Sequence, residues 1–326
     1  MKKVSVGKTL WRCILPLLIF IGVDTVISTV AMCIYAAIET VSMGPIDDFY
    51  TAYMDIMNNS MNWYLKYALF FTALRCLVIV PIYFVMMRKE TKREIADGTY
   101  VSYEKFNKAW LLVIIPLGIF ACIACNNLVE MIANLAQSFI DYIIDAFGLG
   151  IEYDIYASFS ETSNIIYSGG IVMQVLATCV GAPFAEELLF RGLIHKRLRK
   201  ILKVVPAMII SSLLFGIIHG NIIQLIYATL IGLICAYVYE KFKTIWAPII
   251  LHAAANGFSV LATNLTQKFV DAEGVGLDLG TFILSTVCTV AATFLLILLI
   301  EKKVVRKELP KSQVEVENFD NNQGEI

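Results

Sequence analysis

Long apolar runs alternate with short polar stretches along this chain, and they constrain its fold more than any other feature. Runs of about 18 to 25 mainly apolar residues have the length that a helix needs to cross roughly 30 Å of hydrocarbon. They lie at 13–37, 63–87, 109–128, 167–190, 245–263 and 281–300, and two shorter runs lie at 204–220 and 222–239. Because only Gly220-Asn221 separates the shorter runs, they predict a helical hairpin with a sharp turn. The sequence therefore predicts an all-α polytopic membrane protein with about eight transmembrane helices.

The composition agrees with a chain that lies in a bilayer. Hydrophobic residues make up 58% of the sequence and charged residues 16%, whereas soluble domains hold roughly 45 to 50% apolar and about 25% charged residues. The formal net charge is −1, so the chain has no overall basic field that would attract nucleic acid. We therefore expect the lipid bilayer and membrane-associated molecules as partners, and no nucleic acid.

The distribution of basic residues predicts the orientation of the chain. Lys and Arg accumulate in cytoplasmic connections, and with the N-terminus inside, only Lys268 of the 26 basic residues falls on the outer side, while Lys66 and Arg75 lie within a helix. The outer segments 39–62 and 127–165 instead carry acids: Glu39, Asp47, Asp48, Asp55, Glu130, Asp141, Asp145, Glu152, Asp154 and Glu161. Both termini are thus predicted to be cytoplasmic, in the plasma membrane of a bacterium. Segment 128–147 repeats apolar residues near helical spacing and is expected to lie along the outer interface.

Three short strings place polar groups inside apolar runs: Glu186-Glu187-Leu-Leu-Phe-Arg191, Phe215-Gly-Ile-Ile-His219 and His252-Ala-Ala-Ala-Asn256. A charged group at membrane depth costs at least a few kcal/mol, so these residues need partners or a function. Glu186 and His219 lie at nearly equal distances from the turn near Leu202, which places them at similar depth in an antiparallel hairpin. His252 and Asn256 share one face of a helix. We predict that these four side chains meet in one layer below the cytoplasmic surface.

Spacing assigns different roles to the two adjacent glutamates. They point about 100° apart around a helix, and Glu187 stands four residues before Arg191, the favourable order for an ion pair. We therefore assign Glu187 and Arg191 to charge compensation and Glu186 to chemistry. A carboxylate can act as general base toward water, while imidazole and amide N–H groups can hold an oxyanion. These parts predict hydrolysis, in the first place of a peptide bond. A zinc site with an open position for water is the alternative, although the HExxH motif is absent.

Other polar residues and glycines are assigned to structure. Asp24 and Arg75 lie near the middle of two antiparallel helices and are predicted to form a structural ion pair. His195 neighbours Lys196 and is expected at a solvated cytoplasmic edge. Phe215 is expected to pack beside the site. Gly181-Ala182-Pro183 is expected to kink its helix. Three glycines are expected at close helix contacts: Gly192, Gly216 and Gly232.

Together, Glu-Glu-x-x-x-Arg, Phe-x-x-x-His and His-x-x-x-Asn in this order resemble the CPBP family. That family comprises the type II CAAX prenyl endopeptidases and the bacterial bacteriocin-processing and immunity proteins. The resemblance implies that Glu186 is the water-activating base, His219 a second catalytic or ligand residue, and His252 with Asn256 the oxyanion side. Glu187 and Arg191 would support them. Members of the family are named metalloproteases, so zinc held by Glu186, His219 and His252 and a metal-free mechanism both follow from the resemblance.

The resemblance divides the chain into four parts. Residues 1–165 hold three transmembrane helices with acidic outer segments, 166–262 form the CPBP-like catalytic core of four helices, 263–301 form the final transmembrane helix, and 302–326 form a polar cytoplasmic tail. The implied function is an intramembrane endopeptidase, open to the cytoplasm, for a membrane-associated peptide or lipidated protein, whether prenylated or of the leader or bacteriocin type. The alternatives are a non-catalytic bacteriocin immunity or peptide-binding protein and, third, an ion-coupled transporter. Against transport, the two halves of the chain lack paired broken helices.

Overall fold

The computed structural model describes residues 5–43, 48–102, 105–273 and 279–304, and within these ranges the chain is helical, without a β-strand. We number the helices in chain order: α1 Val6–Ser42, α2 Phe49–Lys66, α3 Ala68–Ala96, α4 Leu111–Ala146, α5 Ala157–Tyr167, α6 Ile171–Leu198, α7 Val204–Ile217, α8 Ile222–Phe242, α9 Trp246–Glu273 and α10 Leu279–Lys303. The all-α fold is confirmed. The predicted tail beyond residue 304 lies outside the described residues.

Seven of the described helices are long and apolar enough to cross a membrane, namely α1, α3, α4, α6, α8, α9 and α10. The apolar helix α7 is shorter, with 14 residues, so it extends over only about 21 Å. Each of the eight apolar runs coincides with one of these eight helices. The structure therefore agrees with a polytopic membrane protein, with α7 as a helix that does not reach across the hydrocarbon by itself.

The turn between α7 and α8 has the predicted sharp geometry. Gly220 adopts φ +79°, a left-handed conformation that glycine adopts without steric cost. Asn221 then caps α8, because its side-chain oxygen accepts a hydrogen bond of 2.8 Å from the backbone N–H of Gln224. The two helices pack closely, since a Cβ on Gly216 would lie 2.5 Å from the carbonyl oxygen of Leu225. This hairpin fixes the position of His219, which immediately precedes Gly220.

The prediction that segment 128–147 lies along the outer interface is wrong. Helix α4 continues without a break for 36 residues, from Leu111 to Ala146, a length of about 54 Å. The segment contains no glycine or proline that would end the helix before Gly148, whose φ is +58°. Segment 128–147 is therefore the continuation of a helix that is longer than the hydrocarbon is thick, and it is not a separate interfacial helix.

Helix α6 carries the first polar string, and its pitch is irregular. Residues Val175–Gly181 and Leu188–His195 are π-helical, with a short α-helical stretch, Ala182–Glu187, between them. The predicted kink at Gly181-Ala182-Pro183 thus falls where the helix changes from π-helical to α-helical pitch. At this point the backbone N–H of Ala182 bonds to the carbonyl of Ala177, five residues earlier.

The prediction for His195 is wrong. Its side chain is fully buried, with Nδ1 3.3 Å from the hydroxyl of Ser211 and Nε2 2.8 Å from Oε1 of Glu240. The last π-helical turn of α6 directs the imidazole into the bundle, whereas the neighbouring Lys196 remains partly exposed and pairs with Glu94. His195 therefore belongs to an internal polar contact between α6, α7 and α8.

Ion pairs join the helices at several levels. Arg75 Nη1 donates a hydrogen bond of 2.7 Å to Asp24 Oδ1, so the predicted pair between α1 and α3 is present. At the other end of α3, two buried acids, Glu90 and Glu94, are surrounded by basic residues of α1, of α6 and of the turn that follows α6: Arg12, Lys196, Arg197 and Lys200. These contacts hold the end of α6 against the N-terminal helices.

Candidate active site

Four consecutive helices bring the three polar strings together. Helix α6 carries Glu186 and Glu187 between its two π-helical segments, and α9 carries His252 and Asn256. Helix α7 carries Phe215, and His219 follows its last residue at the turn into α8. The aromatic ring of Phe215 lies in edge-to-face contact with both imidazoles, with ring centroids 5.0 Å from His219 and 5.6 Å from His252.

Glu187 is the centre of the buried part of the site. Its side chain is 0% exposed, and its Oε1 accepts a hydrogen bond of 2.9 Å from Arg191 Nη1. The same oxygen lies 3.0 Å from Nδ1 of His252. Because a carboxylate can only accept, Nδ1 of His252 carries the hydrogen in this contact, and Nε2 points the other way. Glu187 therefore orients an imidazole in addition to balancing Arg191, which the sequence spacing alone did not reveal.

Arg191 is fully buried and is held on three sides. Besides Glu187, its guanidinium donates a hydrogen bond of 2.7 Å to the carbonyl oxygen of Gly232. Its central carbon lies 5.0 Å from the ring centroid of Phe215, a cation–π distance. A Cβ on Gly232 would lie 3.1 Å from a guanidinium nitrogen. The close approach predicted for Gly232 thus makes room for Arg191.

Glu186 faces the free nitrogen of His252. Oε2 of Glu186 lies 3.8 Å from Nε2 of His252, and the two side chains are 13% and 6% exposed. This separation is too long for a direct hydrogen bond, and one water molecule can bridge two polar groups at such a distance. The pair therefore offers a carboxylate and an oriented imidazole to the same small space, with limited access to solvent.

His219 is oriented by its own helix. Its Nδ1 lies 2.8 Å from the carbonyl oxygen of Phe215, and since a carbonyl only accepts, this nitrogen is the donor. Nε2 of His219 is therefore left with a lone pair in the neutral form. The side chain is half-buried, so this nitrogen is available to a substrate, a water molecule or a metal ion.

Asn256 contacts the π-helical part of α6. Its Nδ2 donates a hydrogen bond of 2.7 Å to the carbonyl oxygen of Thr178. One amide hydrogen is thus used between helices, and the second hydrogen on Nδ2 remains for another acceptor. The sequence analysis did not select the neighbouring polar residues Gln174 and Thr178 on α6 or Asn264 on α9. The sequence did contain a signal for them, because they continue the polar positions of each helix at steps of four or eight residues.

The side-chain types at the site are suitable zinc ligands, but their arrangement is not that of a zinc site. Carboxylate oxygen and imidazole nitrogen are zinc ligands, and Glu186 and His252 approach each other to 3.8 Å. However, within the described part of the chain no three His, Cys, Asp or Glu side chains are grouped so that they could hold a metal ion. His219 does not complete such a group with Glu186 and His252.

Comparisons with known proteins agree with the predicted resemblance. Residues 168–258 match the family model described as Type II CAAX prenyl endopeptidase Rce1-like, a range that contains all the residues of the three strings. The chain is similar to the protein named "Putative membrane peptidase YdiL" of Bacillus subtilis (strain 168), with 28% identity over 131 residues, 39% of this chain and 54% of the relative. The chain thus spans about half the length of that curated relative. No solved structure matches. These similarities confirm the resemblance to the CPBP proteases.

Proposed function

We propose that this chain is an intramembrane endopeptidase in which Glu186 activates water for attack on a peptide bond. The observation that carries the proposal is the geometry around His252. Glu187 holds Nδ1 at 3.0 Å, and Nε2 faces the carboxylate of Glu186 across 3.8 Å. A water molecule in this gap would contact a base on one side and an oriented imidazole on the other. The similarity to a family of endopeptidases supports the same reaction class.

The proposed reaction begins when Glu186 takes a proton from the water as its oxygen attacks the carbonyl carbon of the substrate. The substrate oxygen then becomes negatively charged. The proposed donors to this oxygen are the free amide hydrogen of Asn256 and, when the imidazole of His252 carries a second proton, its Nε2–H. As the C–N bond breaks, protonated Glu186 returns its proton to the leaving amine. The negative carboxylate of Glu186 is thereby restored for the next turnover.

The proposed substrate is a membrane-associated peptide or a lipidated protein. The site lies between helices that are long and apolar enough to span a bilayer, so the substrate must reach it from within or along the membrane. His252 lies only six residues after the start of α9 at Trp246, close to Lys241 and Lys243, which favours an opening to the cytoplasm. A prenylated C-terminus and a leader or bacteriocin-type peptide are the two substrate classes that we propose to test.

The first experiment compares the purified wild type with Glu186→Gln, each with and without a strong chelator. The substrates are a mixed pool of prenylated and unmodified membrane peptides, and mass spectrometry identifies the products. Glu161→Gln removes an exposed acid from α5 and is the matched control. Loss of a general base costs about 10²- to 10⁴-fold in rate. We therefore expect cleavage by the wild type and the control, and at least about 100-fold slower cleavage by Glu186→Gln.

The chelator and the variant separate the alternatives. Cleavage that persists in chelator supports the metal-free mechanism, whereas chelator-induced loss that added zinc restores would assign a metal to the site. If a folded wild type binds peptides from the pool without cleaving them, and Glu186→Gln binds them equally well, the non-catalytic peptide-binding function replaces the protease. Equal cleavage rates of the wild type and Glu186→Gln would exclude Glu186 as the base.

A further inference from the structure

A ladder of polar contacts continues from the candidate site along the seam between α6 and α9. The rung at the site is formed by Glu186 and Glu187 with His252. The next rung is the hydrogen bond of 2.7 Å from Asn256 to the carbonyl of Thr178. The hydrogen-bonded residues of both helices are separated mostly by multiples of four positions, so the seam is polar along much of its length.

The outermost rung is built around a buried amide. Gln174 is 1% exposed, and its Oε1 accepts a hydrogen bond of 2.7 Å from Nδ2 of Asn264. Its own Nε2 donates to the backbone carbonyls of Tyr167 and Gly169 at 3.1 and 2.6 Å. The amide of Gln174 is thus satisfied at both ends, and it ties three segments together: the end of α5, the start of α6 and the middle of α9.

The rung at Gln174 immediately precedes the π-helical segment Val175–Gly181, and the rung at Thr178 lies within it. In that segment the carbonyl of Ala177 accepts from the N–H of Ala182, five residues later. With the same spacing, the carbonyl of Thr178 would need a donor from residue 183, which is a proline and has no N–H. Asn256 supplies the missing donor from α9. The wide pitch of α6 and the amide of Asn256 therefore depend on each other.

We propose that the pairs Gln174–Asn264 and Thr178–Asn256 form a clamp that keeps α6 in its π-helical pitch and thereby places Glu186 opposite His252. Gln174 and Asn264 are positioning residues, and the catalytic part of this inference rests on the proposed function. The clamp matters because a π-helical turn holds an extra residue. If that turn relaxed to α-helical pitch, the residues on one side of it would rotate by about 100° relative to the other side, and the facing of Glu186 and His252 would be lost.

The test is Asn264→Asp, which keeps the shape of the side chain and removes its N–H donors. The matched control is Asn127→Asp, because Nδ2 of Asn127 donates across another helix pair, to Ser285 at 3.3 Å, away from α6. Hydrogen exchange of full-length protein in nanodiscs is followed by mass spectrometry. We expect the amides of 175–186 to exchange about tenfold faster in Asn264→Asp than in the wild type, and to be unchanged in Asn127→Asp.

Cleavage kinetics provide the catalytic readout. We expect kcat of Asn264→Asp to fall by about 10- to 100-fold with KM within about threefold of the wild type, because misplacement of a reacting group mainly affects the chemical step. If the amides of 175–186 exchange at the same rate in Asn264→Asp as in Asn127→Asp, the clamp is overturned. Faster local exchange together with a wild type that cleaves nothing would support the clamp and contradict the proposed function. If Asn264→Asp does not fold, Asn264→Ala removes the donor without adding charge and decides by the same outcomes.

Discussion

At the scale of single residues, Glu186 and Glu187 are adjacent in sequence and differ in their surroundings. Glu187 is completely buried and contacts two other polar side chains, Arg191 and His252. Glu186 is 13% exposed and makes no contact shorter than 3.8 Å with His252. The two glutamates should therefore respond differently to the same substitution, which removes a charge and keeps the size of the side chain.

We predict that Glu187→Gln destabilises the fold whereas Glu186→Gln does not. Removal of one partner from a buried ion pair typically costs about 3 to 5 kcal/mol, because the other charge is left uncompensated. In Glu187→Gln that charge is the guanidinium of Arg191, which is 0% exposed. Chemical or thermal unfolding in detergent measures the difference. Equal unfolding midpoints of the two variants would show that Glu187 does not stabilise the buried charge of Arg191.

The histidines provide a second contrast at this scale. His195 is buried between Ser211 and Glu240, whereas His219 is half-buried and its ring contacts Phe215, beside the candidate site. We predict that His195→Ala lowers the free energy of unfolding by about 2 to 4 kcal/mol, through a cavity and a lost hydrogen bond, and leaves kcat of the folded fraction within about threefold. His219→Ala should lower kcat with little effect on unfolding. The reverse pattern would place His195 in the site.

The sequence predicted the contact within one helix of the site and did not predict the contact between helices. The pair of Glu187 and Arg191 follows from a spacing of four residues on a helix. The contact between Glu187 and His252 joins residues 65 positions apart, and it depends on the relative rotation of α6 and α9. That rotation is set by π-helical turns, whose presence does not follow from local propensity. For the same reason His195 was placed at the solvated edge although it points inward.

At the scale of helices, small residues decide where two backbones meet. A Cβ on Gly216 would lie 2.3 Å from Thr229 Oγ1 and 2.5 Å from the carbonyl oxygen of Leu225. The hydroxyl of Thr229 can rotate away, but the carbonyl belongs to the backbone of α8. Gly216 therefore sets the separation of α7 and α8, and it lies three residues before His219. Gly257 on α9, in contrast, has no neighbour within 4 Å of its Cβ position.

We predict opposite effects of alanine at these two glycines. Gly216→Ala should destabilise the protein by about 1 to 3 kcal/mol, because α7 and α8 must separate, and it should also slow cleavage. Gly257→Ala should be neutral or stabilising by up to about 1 kcal/mol, because alanine favours a helix over glycine. Thermal unfolding of both variants under one condition provides the comparison. A stabilising Gly216→Ala would mean that the two helices are not in close contact there.

At the scale of the whole molecule, each apolar run predicted a helix in the correct order, because burial in hydrocarbon leaves few alternatives to a helix, and seven of the eight are long enough to span a membrane. Their ends were less predictable. Apolar length indicates the predicted span and gives no sign that a helix continues beyond it, as α4 does up to Ala146. Three of the outer acids, Glu130, Asp141 and Asp145, lie in this continuation of α4. Asp55 lies in α2 and Glu161 in α5, two helices that the apolar runs did not predict.

These acidic extensions lead to a prediction about orientation, which the positions of the helices alone do not fix. If the basic ends of the helices are cytoplasmic, the loop after α4 is outside and the loop after α3 is inside. Both loops offer an exposed position for a cysteine, Ile151 and Thr99. The label is a membrane-impermeant maleimide, applied to a background in which the two exposed native cysteines, Cys33 and Cys288, are replaced by serine.

We predict that Ile151→Cys reacts in intact cells and that Thr99→Cys reacts only after the membrane is permeabilised. The physical reason is the membrane potential, which together with anionic cytoplasmic lipids favours basic connections inside and disfavours their transfer across the bilayer. The result also bears on the site, since α9 begins three residues after Lys243, and His252 follows within two helical turns. Labelling of Thr99→Cys in intact cells would show that the chain has the opposite orientation in the membrane. A substrate would then have to approach Glu186 from the outer leaflet.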